Sequence, residues 1–518
     1  MRLLLLSMPD SFEHTPTLTM RMPNGALASI AGNLDSHHDV GIADLVLAQQ
    51  SVPETVSRLV RDRRPDIVGL SVMTFQRKTA RRIIALVRSI HPAATIIVGG
   101  YDPSLAAEAY TDSACGVDAV VRGEGESTFR EYVRAIDSAA ADGTPSLHAI
   151  AGLSWRRPDG AFVHNPDRPV SQLRRGDLEL PNRAARVLSG YTMLGRQVDV
   201  VETSRGCTFN CSFCSIIEMR GRNFHPFDLD RVLADIGDAR ARGARTIFMV
   251  DDNVTLDVGR FMALCRAIIE AGLDDLDYIV QGMTSPFAQH GDVLAPLMRR
   301  AGFRYVFLGI ENVLADDLNF LRARAKNTKR EGGRAVGNAT LDAVTHIHRH
   351  GMFVVGGLIV GNPDDTADAI ETNLAFARDH IDWPYIQHPT PYPRTPMTRD
   401  FRERGLIVSE ALEEYDGTTA VVKTAHLDAE EVEYRRWRAE RWMKLRHMPA
   451  ALRHDPWFVL THGRRMFAHT FRGSSWRTWL GLEDERAAFR RYRGLRRRER
   501  EYVPALPVAP LEQRQQIA

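Results

Sequence analysis

The chain has 518 residues and a mass of 58.1 kDa, which at about 100–200 residues per domain predicts two to four domains. Hydrophobic residues at 44% and charged residues at 25% are ordinary for a globular protein, so disordered and fibrous classes are excluded for most of the chain. The formal net charge is +2, and no apolar run approaches about 18 residues, so no membrane-spanning helix is predicted. Five cysteines are an odd number for a disulfide framework, and we expect a reducing compartment, the cytoplasm.

Residues 1–140 alternate short apolar runs with helical patterns. The strands are predicted at Arg2–Met8, Asp39–Leu47, Asp66–Met73, Thr95–Gly99 and Asp118–Val121. This alternation predicts a doubly wound, Rossmann-like α/β domain with a parallel sheet. Ligands of such sheets bind outside the carboxyl ends of the strands, so the segments 71–76, 99–104 and 122–126 are candidate binding loops.

Residues 141–196 form a predicted connector, with a hairpin around Pro158-Asp159-Gly160. A second alternation follows at residues 197–400. Its strands are predicted at Val198–Thr203, Thr246–Asp251, Tyr278–Gly282, Tyr305–Ile310, Val354–Val360 and Tyr385–His388. An eight-stranded barrel usually needs about 250 residues, so this shorter segment predicts a partial (β/α)6 barrel.

Residues 401–518 form a predicted helical extension of distinct composition. From residue 430 to residue 500 the chain has 19 Lys and Arg against nine Asp and Glu, and five of the seven Trp lie there. Three interpretations stay open: a cap packed on the barrel, an amphipathic helix on a membrane surface, or a nucleic-acid-binding patch. The scattered Trp residues argue against nucleic acid as a partner.

Three cysteines, Cys207, Cys211 and Cys214, follow the first strand of the second alternation at spacings of four and three. Soft thiolates select zinc or iron–sulfur clusters. A structural zinc site needs four ligands, and His225 is the candidate for the fourth. On a [4Fe–4S] cluster, three ligands would leave one iron open for a small molecule. The residues alone leave both interpretations open, together with unrelated buried thiols.

The triplet, with Phe213 directly before the last cysteine, resembles the signature of radical S-adenosylmethionine (SAM) enzymes. Further segments match that superfamily in order: Asp251-Asp252-Asn253, Gly309–Asn312, Gly357–Pro363 and Pro391–Pro396. The resemblance implies that the three cysteines hold a [4Fe–4S] cluster whose open iron binds SAM. Reductive cleavage of SAM then gives a 5′-deoxyadenosyl radical, with electrons from an external flavodoxin- or ferredoxin-type donor.

The same resemblance assigns five further residues to cofactor binding: Phe213, Asp251, Glu311, Gly357 and Gly361. Asp251 has an ordinary alternative, because a carboxylate at a strand end often caps the next helix. An unpaired carboxylate such as Glu311 at the end of an apolar strand is costly, which favours a ligand. The loop at residues 326–333 is predicted either to cover the substrate or to be a surface insertion.

The first domain resembles the cobalamin-binding domain of radical SAM enzymes, which include class B methyltransferases and anaerobic magnesium-protoporphyrin ester cyclases. The residues that the resemblance assigns to cobalamin are Ser71, Thr74, Gly99, Gly100, Gly123 and Glu124. The Asp-x-His-x-x-Gly element that supplies an axial His to cobalt in methionine-synthase-like domains is missing. The nearest candidates, His37 and His38, precede a strand, so the resemblance implies cobalamin without a protein His ligand.

The preferred hypothesis is an enzyme that uses the cluster and cobalamin to methylate an unactivated carbon of a hydrophobic natural product or lipid. One alternative is an oxidative cyclase or ring-rearranging enzyme that transfers no methyl group. Another is a zinc-stabilised binding protein without catalysis. The expected partners are a small-molecule or lipid-like substrate and the electron donor, with a peripheral membrane contact as an alternative and no nucleic acid.

Overall fold

The computed structural model describes residues 1–11, 19–142, 145–170, 178–332 and 334–506. Strands and helices are numbered along the chain. The first sheet has the strand order β3-β1-β4-β5-β6-β7-β8. Its strands are β1 (Arg2–Ser7), β3 (Asp39–Asp44), β4 (Ile67–Ser71), β5 (Thr95–Gly99), β6 (Ala119–Val121), β7 (Leu153–Arg156) and β8 (Phe162–His164). The first five strands in this order run parallel, and β7 and β8 add an antiparallel hairpin.

Both faces of this first sheet are buried. Leu4 and Leu6 of β1 pack into one hydrophobic core, whereas Leu3 and Leu5 pack into another on the opposite face. The helices of this region are α1 (Gly25–Gly32), α2 (Val52–Arg63), α3 (Arg77–Ile90), α4 (Tyr101–Leu105) and α5 (Gly125–Asp142). The prediction of a doubly wound α/β domain is confirmed. The hairpin predicted in the connector pairs with β6 and therefore extends this sheet, while β3 ends at Asp44, before the predicted end.

The second sheet has the strand order β19-β18-β15-β14-β13-β10-β9-β2. Six parallel strands form its main part: β10 (Arg196–Val201), β13 (Thr246–Met249), β14 (Asp277–Met283), β15 (Phe303–Glu311), β18 (Phe353–Ile359) and β19 (Trp383–Gln387). The short antiparallel strands β2 (Met20–Arg21) and β9 (Thr192–Met193) continue it beyond β10. The outermost strands β19 and β2 do not pair with each other, so the sheet is an open, partial barrel, as predicted.

Five helices pack on the outer face of the partial barrel: α7 (Leu229–Ala241), α8 (Val258–Glu270), α9 (Thr284–Arg300), α11 (Thr340–Arg349) and α12 (Ala367–His380). Helices α10 (Ala315–Phe320) and α13 (Pro396–Glu403) share a separate core with Phe75 of the first domain, and α6 (Ser215–Arg220) lies against α4. A small ladder pairs β11 (Ser204–Arg205) with β12 (His225–Pro226). The loop at residues 326–333 contributes β16 (Thr328–Glu331), which pairs with β17 (Arg334–Asn338). Residue 333 lies outside the described residues.

The C-terminal region is helical, as predicted, with α14 (Ala429–Arg446), α15 (Met448–His454), α16 (Pro456–Thr470), α17 (Trp476–Trp479) and α18 (Glu485–Glu499). Helix α14 packs on the last barrel strands, where the Arg436 guanidinium donates to the Ile386 carbonyl. His454 at the end of α15 lies against Tyr305, with ring centroids 4.8 Å apart, at the amino end of β15. The described helices include none with the length and apolarity needed to cross a membrane.

Candidate functional site

The loop that carries the three cysteines begins directly after β10. Its turn requires glycine at position 206, where φ is +89° and a Cβ atom would lie 2.5 Å from the Asn223 carbonyl oxygen. The Gly206 amide donates to Asp252 at 2.7 Å, and Ser212 donates its amide to the Leu321 carbonyl at 3.0 Å. The backbone on both sides of Cys207 is therefore fixed by contacts from neighbouring barrel loops.

The three thiols of this loop are too widely spaced for a single zinc ion. Zn–S bonds of about 2.3 Å place the sulfur atoms of a tetrahedral site about 3.8 Å apart. Cys207, Cys211 and Cys214 do not all lie within 4.8 Å of one another, and His225 brings no such group together among the described residues. A wider, multi-iron cluster fits this spacing better.

The other two cysteines lie away from the loop. Cys265 is fully buried in the core behind the barrel, and Cys115 is 9% exposed in a core of the first domain. Both are therefore ordinary core residues.

Burial makes the Cys211 and Cys214 thiols poor thiolates in the absence of a metal. It raises the pKa of Cys214 to about 12, and it also raises the pKa of Cys211. A coordinated metal deprotonates its thiol ligands outright, so the loop is suited to hold a cluster and unsuited to nucleophilic catalysis by free cysteine.

Glu311 lies at the end of β15 in an unusual backbone conformation. Its φ is +61°, next to a bulge in the pairing with β18. The Lys326 ammonium donates to its carboxylate, and the Lys326 Nζ atom lies 5.6 Å from the centroid of the Phe213 ring. The neighbouring negative charge raises the pKa of Lys326 against the opposing effect of burial. The predicted residues Phe213 and Glu311 thus meet beside the cysteine loop, through a lysine that the sequence did not single out.

The Asp251 carboxylate accepts three hydrogen bonds from the residues that follow β10. Its carboxylate accepts from the Thr203 amide at 2.7 Å, from the Thr203 hydroxyl at 2.6 Å and from the Ser204 hydroxyl. It therefore holds the start of the cysteine loop, and it does not cap the next helix. The neighbouring Asn253 amide lies 3.8 Å from the Cys207 sulfur.

Gly357 in the fifth barrel strand and Gly361 just after it leave room for neighbouring side chains. A Cβ atom at Gly357 would lie 3.0 Å from the Phe307 ring. Gly361 has a φ of +97°, and a Cβ atom there would lie 2.7 Å from Val432 of α14. Whether either glycine also contacts SAM stays a prediction.

The residues assigned to the first sheet meet at its carboxyl edge. Gly100 has a φ of +101°, and a Cβ atom there would lie 2.9 Å from the Val72 carbonyl. The Gly123 amide donates to Ser104 at 2.9 Å, and a Cβ atom at Gly123 would meet open space. The Ser71 hydroxyl, at the end of β4, accepts a hydrogen bond from the side-chain amide of Asn24 at 3.2 Å. Gly99 ends β5, while Thr74 is 3% exposed and therefore offers a ligand little surface.

Glu124 belongs to a charge network that joins the two domains. It accepts from Arg220 of α6, and its neighbour Glu126 lies 2.7 Å from Arg205 of the cysteine loop. Burial opposes the charge on Glu126, but the Arg205 guanidinium holds the pKa of that carboxyl at about 2. Asp252 lies 3.6 Å from Arg220 on the barrel side. The Glu124 and Glu126 side chains are only 12% and 6% exposed, so they lie in the contact between the domains and do not form a surface turn.

The concave face of the partial barrel is lined by aromatic and amide side chains near the carboxyl ends of the strands. The Phe307 and Tyr385 rings contact each other edge to face, with centroids 5.2 Å apart, above Gly357. Gln281 on β14 and Gln387 on β19 are half-buried. Near the amino ends, Tyr191, Met193 and Ile279 fill the interior. The open part of the concave face thus lies next to the cysteine loop.

Comparison with known proteins agrees with this arrangement. Residues 17–133 match the B12 binding domain, and residues 201–377 match the radical SAM superfamily. This chain is a radical SAM enzyme with a B12-binding domain. Its cofactors are a [4Fe–4S] cluster, SAM and cobalamin.

This radical SAM enzyme is 27% identical over 434 residues to an uncharacterized methyltransferase of Pyrococcus horikoshii, covering 83% of this chain and 90% of that protein. It is 25% identical to the anaerobic magnesium-protoporphyrin IX monomethyl ester cyclase of Rubrivivax gelatinosus, covering 79% and 71%. Its fold is similar to that of the radical SAM methyltransferase TsrM from Kitasatospora setae, with a TM-score of 0.61, 20% identity and 78% of each chain covered.

The carboxyl edge of the first sheet fits cobalamin, because its glycines permit close approach and Gly123 faces open space. A cavity of about 320 Å³ beside it is lined by residues of both domains, among them Ser104, Gly123 and Met219. His37 and His38 lie at the opposite edge, where His38 contacts the amino group of Met1. They therefore cannot reach a cobalt at the carboxyl edge.

Sequence reasoning assigned no role to Arg205 or Arg220, and it marked the loop that begins at Lys326 as a candidate cover of the substrate without linking Lys326 to Glu311. The partners of Lys326, Arg205 and Arg220 lie 15, 79 and 96 residues away in the chain, so local spacing carries no signal for Lys326 or Arg220. The position of Arg205 two residues before Cys207 was the one available signal. It indicates a residue of the cluster loop but not which carboxylate it contacts.

Proposed function

We propose that this enzyme transfers a methyl group to an unactivated carbon of a hydrophobic natural product or lipid. When bound, the cluster and SAM supply a 5′-deoxyadenosyl radical, and cobalamin supplies the methyl group. Support comes from the relative in Pyrococcus horikoshii, which is named as a methyltransferase. The proposal of a hydrophobic substrate rests on the concave face, where Phe307, Tyr385 and half-buried amides lie next to the cysteine loop.

We propose these roles for the chain's own residues. Cys207, Cys211 and Cys214 hold the cluster, and the Glu311–Lys326 pair with Phe213 forms the adjoining wall for SAM. The loops after β4, β5 and β6 hold cobalamin at the facing edge. The apposed domains exclude water from the space between them, which protects a radical from side reactions. An external electron donor of the flavodoxin or ferredoxin type completes the system.

Anaerobic reconstitution with isotopically labelled SAM and cobalamin tests this proposal. We expect about four iron atoms per chain and formation of both 5′-deoxyadenosine and S-adenosylhomocysteine in the presence of substrate. Cys211→Ala should abolish both products, whereas Cys115→Ala, a cysteine outside the loop, should retain them. One zinc per chain without iron would contradict the proposal.

A second candidate function is oxidative cyclisation or ring rearrangement. The relative in Rubrivivax gelatinosus, named as a cyclase, favours it. The same labelling experiment separates the two candidates. Formation of 5′-deoxyadenosine without S-adenosylhomocysteine in the substrate-dependent reaction would select the cyclase and exclude methyl transfer.

A further inference from the structure

The C-terminal helices carry the most exposed large apolar side chains of the described chain. Trp457 is 77% exposed, Leu460 is 74% exposed, Leu480 is 68% exposed and Trp476 is 66% exposed. Isolated exposed apolar residues are normal, but a cluster of this kind marks a binding surface.

Helix α16 presents one apolar face to the protein and a second one to solvent. Phe458 and Met466 are buried, and Phe458 packs near Gly195 at the turn before β10. Trp457, Leu460 and Phe467, spaced by three and seven residues, lie on one outward stripe. Burial against the protein therefore does not explain Trp457, Leu460 and Phe467.

Ring contacts extend the outward stripe onto α14. The Phe467 and Phe471 ring centroids lie 4.8 Å apart, and the Phe471 and Trp442 centroids lie 5.9 Å apart. Trp442 is 49% exposed. We call Trp442, Trp457, Leu460 and Phe467 the C-terminal apolar surface.

The charges around the C-terminal apolar surface are positive. Arg453, Arg464, Arg465 and Arg477 are exposed, and none forms an ion pair with a carboxylate of the residues that the structure describes. Asp455 is the single acid in the sequence between residues 447 and 482, and it is buried at the start of α16. Apolar side chains flanked by unpaired arginines match a surface that is both apolar and anionic.

We propose that the C-terminal apolar surface binds this protein to an anionic lipid bilayer, with α16 lying in the plane of the interface. A symmetric dimer through the same surface would bring its unpaired arginines together without acids to neutralise them. Nucleic acid would leave leucines such as Leu460 without a stacking partner. The surface lies at the amino ends of the barrel strands, away from the cysteine loop, so the cofactor edge stays free.

Flotation of the full-length protein with vesicles tests this proposal without any measurement of activity. Two vesicle compositions are used: phosphatidylcholine alone, and phosphatidylcholine with one-third phosphatidylglycerol. We expect binding to the anionic vesicles only, and weaker binding as salt rises from about 0.1 M to about 1 M. Trp457→Glu combined with Leu460→Glu should weaken binding at least about tenfold, because two apolar side chains lose their burial in the bilayer.

Arg464→Gln combined with Arg465→Gln should weaken binding about twenty-fivefold, at about fivefold for each arginine near an anionic surface. The matched control is Val293→Glu on α9, where the side chain is 60% exposed outside the C-terminal apolar surface, and it should bind as the parent does. Equal binding to both vesicle types, or unchanged binding of the Trp457/Leu460 variant, would overturn the proposal. So would a dimer in solution that the same variant dissociates, because the surface would then be an interface between two copies. Circular dichroism confirms that each variant is folded.

Discussion

The two sheets of this protein face each other through the loops at the carboxyl ends of their strands, but they offer ligands different surfaces. In the first sheet, Leu4 and its neighbours on β1 are buried on both faces, so only the loops at the carboxyl edge can bind a ligand. In the second sheet, Val306 and Leu308 of β15 pack outward into the core, while Tyr305 and Phe307 face the concave side. A flat sheet covered on both faces can only present a cofactor at its edge, whereas a curved one can also enclose a substrate.

The largest expected effect comes from removing a ligand at the edge of the second sheet. Cys214→Ala should lower formation of 5′-deoxyadenosine by more than about a thousandfold, because the cluster loses one of its three protein ligands. Cobalamin binding, measured by absorbance after gel filtration, should persist because it depends on the first sheet. Loss of cobalamin together with iron would show that the two edges do not bind their cofactors independently.

Among the substitutions considered for stability, we expect those in the charge network between the two domains to lower the free energy of unfolding most. Arg205→Met would leave Glu126 buried and unpaired and should lower the free energy of unfolding by about 3–5 kcal/mol, measured by urea titration. Arg240→Met is the control, because Arg240 pairs with Asp275 where both side chains are more than 40% exposed, and it should cost about 0–1 kcal/mol. A similar cost for both variants would argue against a structural role for the charge network.

Truncating a side chain to alanine should change the free energy of unfolding differently on the faces of the two sheets. Leu4→Ala should lower the free energy of unfolding by about 2–5 kcal/mol, since it leaves a cavity in a closed core. Phe307→Ala removes a larger side chain but should cost only about 1–2 kcal/mol, because the ring is half-buried on an open face. Urea titration of the two variants gives the comparison, and a larger loss for Phe307→Ala would mean that the concave face is a closed core.

The smallest expected effects concern the glycines at the edge of the first sheet. Gly100→Ala should cost about 1–3 kcal/mol, because an alanine there is strained and approaches the Val72 carbonyl. Gly123→Ala should cost about 1 kcal/mol, since a Cβ atom there meets nothing within 4 Å. Equilibrium dialysis should nevertheless show weaker cobalamin binding for Gly123→Ala. Unchanged binding would place cobalamin away from this residue.

The sequence alone was sufficient for the order of the main parallel strands and for the proposal of the cluster ligands. Short apolar runs and helical spacing are local features of the sequence, so the alternation of strands and helices was predictable in both domains. Cys207, Cys211 and Cys214 could be recognised because all three ligands lie in one loop of eight residues. Of the five cysteines, three lie in this loop as the proposed ligands, and the other two, Cys115 and Cys265, are buried core residues.

Tertiary structure decided every contact between segments that are distant in the chain. Lys326 reaches Glu311 only because the segment between α10 and β16 comes back to the end of the fourth barrel strand, and Arg205 meets Glu126 only because the two sheet edges face each other. The basic C-terminal region was likewise ambiguous in sequence, since amphipathic spacing does not say which face is covered. Packing settled that question: Phe458 is buried against the barrel, and Trp457 next to it is left in solvent.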